Sequence, residues 1–271
     1  MSSFTRHASI VAIAAALAVP ATASAQGTEG WTFGASLYGY FPSLSGTSNF
    51  PASGSGSSVS IDVDRILDNL EFVFMGSFEA RKGRWGGFTD LIYMDIGTDR
   101  SGSRDITIGG IGLPASASAD INYDIKGLIW TIAGEYNVHA TREANVDVFA
   151  GARLVDLEQD IRWNLNGNIG SVPVPGRSGG SNVSRSNWDG IVGVKGRLRF
   201  GQEQRWFVPY YLDVGTGDSD FTWQAQAGVG YTWGWGDVML GWRHLDYDFG
   251  SGKPFTDLSL SGPQLGVNFR W

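Results

Sequence analysis

Apolar and polar residues alternate along most of this chain, and the alternation is cleanest from Phe221 to Trp233. Phe221, Trp223, Ala225, Ala227, Val229, Tyr231 and Trp233 share one parity. Thr222, Gln224, Gln226, Gly228, Gly230 and Thr232 share the other. Side chains point to opposite faces of a strand with period two, so this stretch predicts a strand with one wholly apolar face and one small, polar, uncharged face. An outward face on a soluble sandwich usually carries charge. An apolar face framed by aromatic residues suits a lipid-facing band, with a wet or polar interior behind it.

The same pattern predicts about nine further strands. The first covers 31–41, with Trp31, Phe33, Ala35, Leu37 and Phe41 on one side. The second, 71–81, puts Phe72, Phe74 and Phe78 outward and Glu79 and Arg81 inward. The third runs to 96 with a weaker alternation, because Phe88 and Ile92 share the side of Asp90. The fourth, 120–138, changes parity between Ile125 and Leu128, which a bulge near Lys126-Gly127 would reconcile. The fifth is 146–165. The sixth, 188–200, turns Lys195, Arg197 and Arg199 inward. The seventh is 205–214, the eighth is the stretch above, the ninth is 237–249 and the tenth is 258–271. Segments 42–58, 98–118 and 167–186 are rich in Gly, Ser and Pro or lack periodicity, and are expected as loops. A short helical turn is one option for 65–70, a plain loop the other.

Tight turns at 82–86, 139–145, 201–204 and 234–236 alternate with mostly longer connections. That is the arrangement of outer-membrane barrels, with short turns on the periplasmic side and long loops outside. About ten residues, tilted, cross the roughly 25 Å apolar band of such a barrel. Trp31, Trp85, Phe200, Trp206, Trp233, Trp235 and Trp271 gather at the expected periplasmic edge. Tyr40, Phe41, Trp188, Trp223, Tyr247 and Phe249 gather at the expected outer edge. Two aromatic levels mark two membrane–water interfaces. The fold class expected is therefore all-β: a closed, antiparallel, up-and-down transmembrane β-barrel of about ten strands, with eight to twelve as the range.

Composition agrees. The 271 residues include 39 glycines, 11 tryptophans and no cysteine, and only 17% are charged. The missing cysteines remove disulfide frameworks and thiolate metal sites. Residues 1–25 have the three parts of a secretory signal: Arg6 and His7, an apolar Ile10–Val19, and Ala23-Ser24-Ala25 before Gln26. The expected organisation is a signal peptide at 1–25 and a single barrel domain at 26–271, exported to the cell outer membrane.

The signal, the alternating strands and the ending Leu265-Gly266-Val267-Asn268-Phe269-Arg270-Trp271 resemble small Gram-negative outer-membrane β-barrel proteins, broadly OmpA- or OmpW-like. The resemblance is architectural. It implies contact with outer-membrane lipids and lipopolysaccharide, and delivery to the barrel-insertion machinery through the C-terminal strand. This chain ends in Trp where those families more often end in Phe. Because it stops at the last barrel strand, no peptidoglycan-binding domain is expected.

Candidate chemistry is sparse. The expected lumen carries both signs of charge: Glu79, Arg81, Asp90, Glu135, Asp147, Arg153, Lys195, Arg197, Arg199, Asp213, Arg243 and Arg270. Such charges persist inside a barrel only if paired or water-lined. A barrel of about ten strands has a narrow interior, so a filling charge network is favoured over a selectivity-tuning pore lining. His244 lies near Asp246, Asp248, Ser251, Ser259 and Ser261, but their spacing matches no barrel-hydrolase motif, and His139 falls in a turn. No catalytic residue, metal site or cofactor is therefore expected. Paired aspartates in the outer segments lack the EF-hand spacing and make an acidic rim. A net charge of −7 without a basic stripe argues against nucleic acid. The expected function is a structural or surface outer-membrane protein, or a narrow porin. A lipid-modifying barrel enzyme and a soluble lipocalin-like carrier are the alternatives.

Overall fold

The computed structural model describes residues 30–48, 57–61, 70–102, 117–169, 172–250 and 255–271. The expected signal peptide and the 62–69 segment lie outside them. Twelve strands follow in order: β1 Trp31–Tyr40, β2 Ser43–Ser48, β3 Ser57–Ile61, β4 Leu70–Lys82, β5 Trp85–Gly102, β6 Ala117–Ala140, β7 Ala144–Ile169, β8 Val172–Phe200, β9 Trp206–Gly217, β10 Phe221–Thr232, β11 Asp237–Asp248 and β12 Phe255–Arg270. Ten of them, β1 and β4 to β12, pair antiparallel with their neighbours, and β1 pairs with β12 to close the barrel. Closure removes every sheet edge over that stretch, which a lipid-exposed sheet requires.

Three segments expected as loops are wholly or partly strand among the described residues. Part of 42–58 forms the β2–β3 hairpin, which pairs with the first half of β12, Leu44 opposite Leu260. Most of 167–186 extends β7 and β8, which stay paired from Ala144–Leu198 to Ile169–Val172. Part of 98–118 belongs to β5 and β6. Gly and Ser supply little strand propensity, but a long-paired neighbour satisfies their backbone groups regardless. The wall is therefore lopsided: β9, β10 and β11 have 12 residues each, whereas β6, β7 and β8 have 24, 26 and 29.

The expected bulge at Lys126-Gly127 is absent. Lys126 pairs in unbroken register with Asp95 and Glu158, so Ile121, Tyr123 and Ile125 keep the parity of Ile129. The register shift in β6 sits between Asn137 and His139, beside the β6–β7 turn.

Outward positions follow the alternation. Ile132, Val192, Leu212, Leu240 and Leu265 are exposed apolar residues of mid-strand. At the short-turn end a belt of rings runs Phe200, Trp206, Tyr231, Trp233, Trp235, Phe269, with successive centroids 4.6–6.4 Å apart. Trp31, Phe33, Phe78 and Trp271 form a second group there, and Trp85 packs on Tyr136. At the far end Trp130 meets Trp188, and Trp223 lies on His244. All eight tryptophans expected at the interfaces, Trp31, Trp85, Trp188, Trp206, Trp223, Trp233, Trp235 and Trp271, are on the outer surface or at its edge. Tyr40, Tyr247 and Phe249 depart from the expected outer belt: they point inward and are buried.

Candidate functional site: the lumen

The interior is layered, and it is not uniformly polar. In the half away from the short turns, Tyr40, Met75, Ile92, Ile129, Val155, Leu245, Tyr247, Phe249, Leu258 and Leu260 pack as one apolar cluster across the barrel. Ten strands make an interior narrow enough for side chains from opposite walls to meet. Tyr40 anchors the cluster: its hydroxyl donates to the Leu260 carbonyl at 2.8 Å, and its backbone N–H meets Met75 Sδ at 3.1 Å. The inward apolar residues of the third expected strand, Phe88 and Ile92, find their place here and just below. Phe88 packs edge-on against Phe149 and Tyr211.

Beneath the apolar cluster lie two ion pairs, one fully buried and one part-buried. Arg153 is 0% exposed and Asp213 1%. Arg153 Nη1 donates to Asp213 Oδ1 at 3.1 Å, Nη2 meets Oδ2 closely, and Nε donates to Thr131 Oγ1 at 3.2 Å. Arg243 Nη2 donates to Asp90 Oδ1 and to Gln224 Oε1, both at 2.9 Å. Tyr38 donates its hydroxyl proton to Asp90 Oδ2 at 2.6 Å and accepts from Arg243 Nη1 at 3.1 Å. The Arg153–Asp213 contact is a fork on a carboxylate, the geometry that best compensates a desolvated guanidinium, whereas Arg243 gives Asp90 one bond directly and meets the Tyr38 hydroxyl with its other terminal nitrogen.

Nearer the short turns, five charges interlock. Arg81 reaches Glu135 Oε1 at 2.6 Å, Asp147 Oδ1 at 2.7 Å and Glu79 Oε1 at 3.2 Å. Lys195 Nζ lies 2.6 Å from both Glu79 Oε2 and Glu135 Oε2, over the ring of Phe88. The alternation places all five inward. Gly86 gives Glu135 room, since a Cβ there would stand 2.7 Å from its Oε1.

Arg197 and Arg270 share one carboxylate, Asp237. Arg197 Nη1 donates to its Oδ2 at 2.5 Å, Arg270 Nη2 contacts the same oxygen, and Thr232 donates to Oδ1 at 2.8 Å. The guanidinium of Arg197 rests over Phe207, whose ring occupies the space a side chain at Gly230 would need. Arg199 points the same way and makes no ion pair among the described residues.

Every charge expected in the lumen thus lies on the inner wall. Asp237 was missed by sequence reasoning, although it has the parity of Arg243 on the same strand. Asp189, a buried acceptor for the Ser219 N–H and hydroxyl at 2.8 Å each, was missed as well; it fastens the β9–β10 turn.

Outside the lumen, His244 faces outward. Its ring centroid is 4.7 Å from that of Trp223, and Asp246 is 4.0 Å from its Nε2. Across the ladder, Ser261 Oγ accepts from Trp242 Nε1 at 3.0 Å. Ser251 lies outside the described residues. No group of His, Asp or Glu is arranged to hold a metal among the described residues.

No known family model and no curated protein matches the chain. Solved structures do. The translocator domain of the autotransporter NalP from Neisseria meningitidis is 14% identical, with 91% of this chain and 90% of that one covered and a TM-score of 0.41. Ail, the attachment invasion locus protein of Yersinia pestis, solved with the heparin analogue sucrose octasulfate, is 10% identical over 90% of this chain and 99% of that one, TM-score 0.36. The toluene transporter TodX of P. putida is 12% identical over 89% of each chain, TM-score 0.30. The chain is a closed ten-stranded antiparallel barrel, similar in architecture to outer-membrane β-barrels.

Proposed function

We propose that the chain is an outer-membrane β-barrel with a structural or surface role, and that its lumen does not conduct. The apolar cluster across the barrel carries this reading. Ions cross a membrane through wet pathways, and an apolar constriction resists wetting. The two ion pairs below it add a second layer whose charges are already compensated. A narrow porin, the competing role, requires that both layers part.

The exposed apolar band and its two aromatic levels support insertion in a bilayer. We place the short turns in the periplasm and the long ends of β5 to β8 outside, where a strand ribbon can meet lipopolysaccharide or other surface partners. The last strand, which closes the barrel on β1, is in this reading the one delivered to the barrel-insertion machinery. Export through residues 1–25 completes the route.

Expression of the full chain in a Gram-negative host tests the assignment. The protein is expected in the outer-membrane fraction, resistant to alkaline extraction, with a mature N-terminus at Gln26. Proteoliposomes containing it should swell in small sugars no faster than protein-free vesicles. Recovery as a detergent-free periplasmic protein would favour the soluble carrier instead, and rapid swelling would favour the porin.

A further inference from the structure

Below the ion pairs the lumen is not filled. A cavity of about 810 Å³ is lined at its mouth by residues of the short-turn end, including Thr141 and Arg270, and at its floor by Gln224, Arg243 and Gln264. None of the apolar cluster lines it, so it is a blind cup that opens on the short-turn side.

The charges around the cup are unevenly matched. On one wall three carboxylates, Glu79, Glu135 and Asp147, share Arg81 and Lys195. On the other, three guanidinium groups stand against one carboxylate: Arg197 and Arg270 meet on a single oxygen of Asp237, and Arg199 pairs with no carboxylate among the described residues. That wall has an excess of two positive charges in a chain whose net charge is −7. Arg197 and Arg199 occupy alternate positions of β8, where like charges repel unless an anion or water intervenes. The floor adds a separate observation. Arg243 Nε and Gln264 Oε1 belong to residues only 2% and 4% exposed, both line the cup, and neither has a hydrogen-bond partner among the described residues. The floor of the cup therefore holds a donor and an acceptor whose hydrogen-bonding capacity is unmet.

We infer that Arg197, Arg199 and Arg270 form an oxyanion site in this cup, suited to a phosphate group. The planar fork of arginine matches phosphate oxygens bidentately, and a dianion would balance the excess of two. The phosphate can come from a soluble phosphate or phosphomonoester entering from the short-turn side, or from the headgroup of a phospholipid at that edge. The inference does not depend on closure of the opposite end, because binding at the cup is read without any transmembrane flux.

Two titrations of the full-length mature barrel test it. In a phosphorus-free maltoside detergent, inorganic phosphate is added and followed by calorimetry. In a second arm, phosphatidylglycerol is added to the same micelles and its ³¹P resonance followed. Saturable one-to-one binding, weakened by salt as expected for exposed charges, and reduced at least tenfold in Arg199→Gln, supports the site. Saturation in the first arm identifies a soluble ligand; saturation confined to the second identifies a headgroup. Because Arg199 has no ion partner to strand, Arg199→Gln should melt at or above the wild-type temperature, which separates lost binding from lost folding. Absence of binding in both arms, or equal binding by Arg199→Gln, overturns the proposal.

Discussion

Arg153→Ala should be the most damaging single substitution in the lumen. It leaves Asp213 as an uncompensated carboxylate, 1% exposed, beneath an apolar cluster and also removes the donor to Thr131. Breaking a buried pair by removing one partner costs about 3–5 kcal/mol. Replacing both partners with apolar residues of similar volume is often close to neutral. The double variant Arg153→Met/Asp213→Leu should therefore recover most of the loss. Urea unfolding midpoints of the three proteins in the same lipid give the comparison. A double variant as unstable as Arg153→Ala would show that the pair itself, rather than the stranded charge, supplies the stability. The expected loss at Arg197 is smaller, because that residue borders the open cup and shares its carboxylate with Arg270.

The second large effect is on the outer surface. Ala227 is an exposed mid-strand residue of β10, opposite Trp242 of β11 and Tyr210 of β9. An arginine facing lipid near the bilayer centre costs about 2–4 kcal/mol. Ala227→Arg should lower folding yield into vesicles accordingly. Gln226→Ser, one residue away but lining the cup, should cost under about 1 kcal/mol. Equal folding of Ala227→Arg and wild type in bilayers would contradict the lipid-facing assignment of this strand.

The facing of most residues was legible because alternation has one parity per face, and a buried or lipid-exposed face holds that parity along the strand. The inward set Lys195, Arg197 and Arg199 and the outward set Leu265, Val267 and Phe269 follow from it directly. Strand ends were less legible. Residues 167–186 carry prolines and glycines that punctuate most chains, yet the β7–β8 ladder holds 167–169 and 172–186 as strand; propensity was overridden by a partner that local sequence does not reveal. The hairpin of β2 and β3 escaped for the same reason. The contents of the lumen were half legible. Parity says which side chains enter, but which cation meets which carboxylate depends on the stagger of ten tilted strands around the barrel. That stagger brings Asp237 of β11 to Arg197 of β8, and it gathers Tyr40, Leu245, Tyr247 and Phe249 into an apolar layer where a polar interior was expected.

The closed lumen is tested most directly by current through planar bilayers holding the purified barrel. The wild type should show no steady conductance. Trimming the apolar layer from two walls, with Leu245→Gly and Tyr247→Gly on β11 and Leu258→Gly and Leu260→Gly on β12, should open it and produce measurable channels. A stable wild-type current, unchanged by that trimming, would contradict the assignment of the apolar cluster as the barrier.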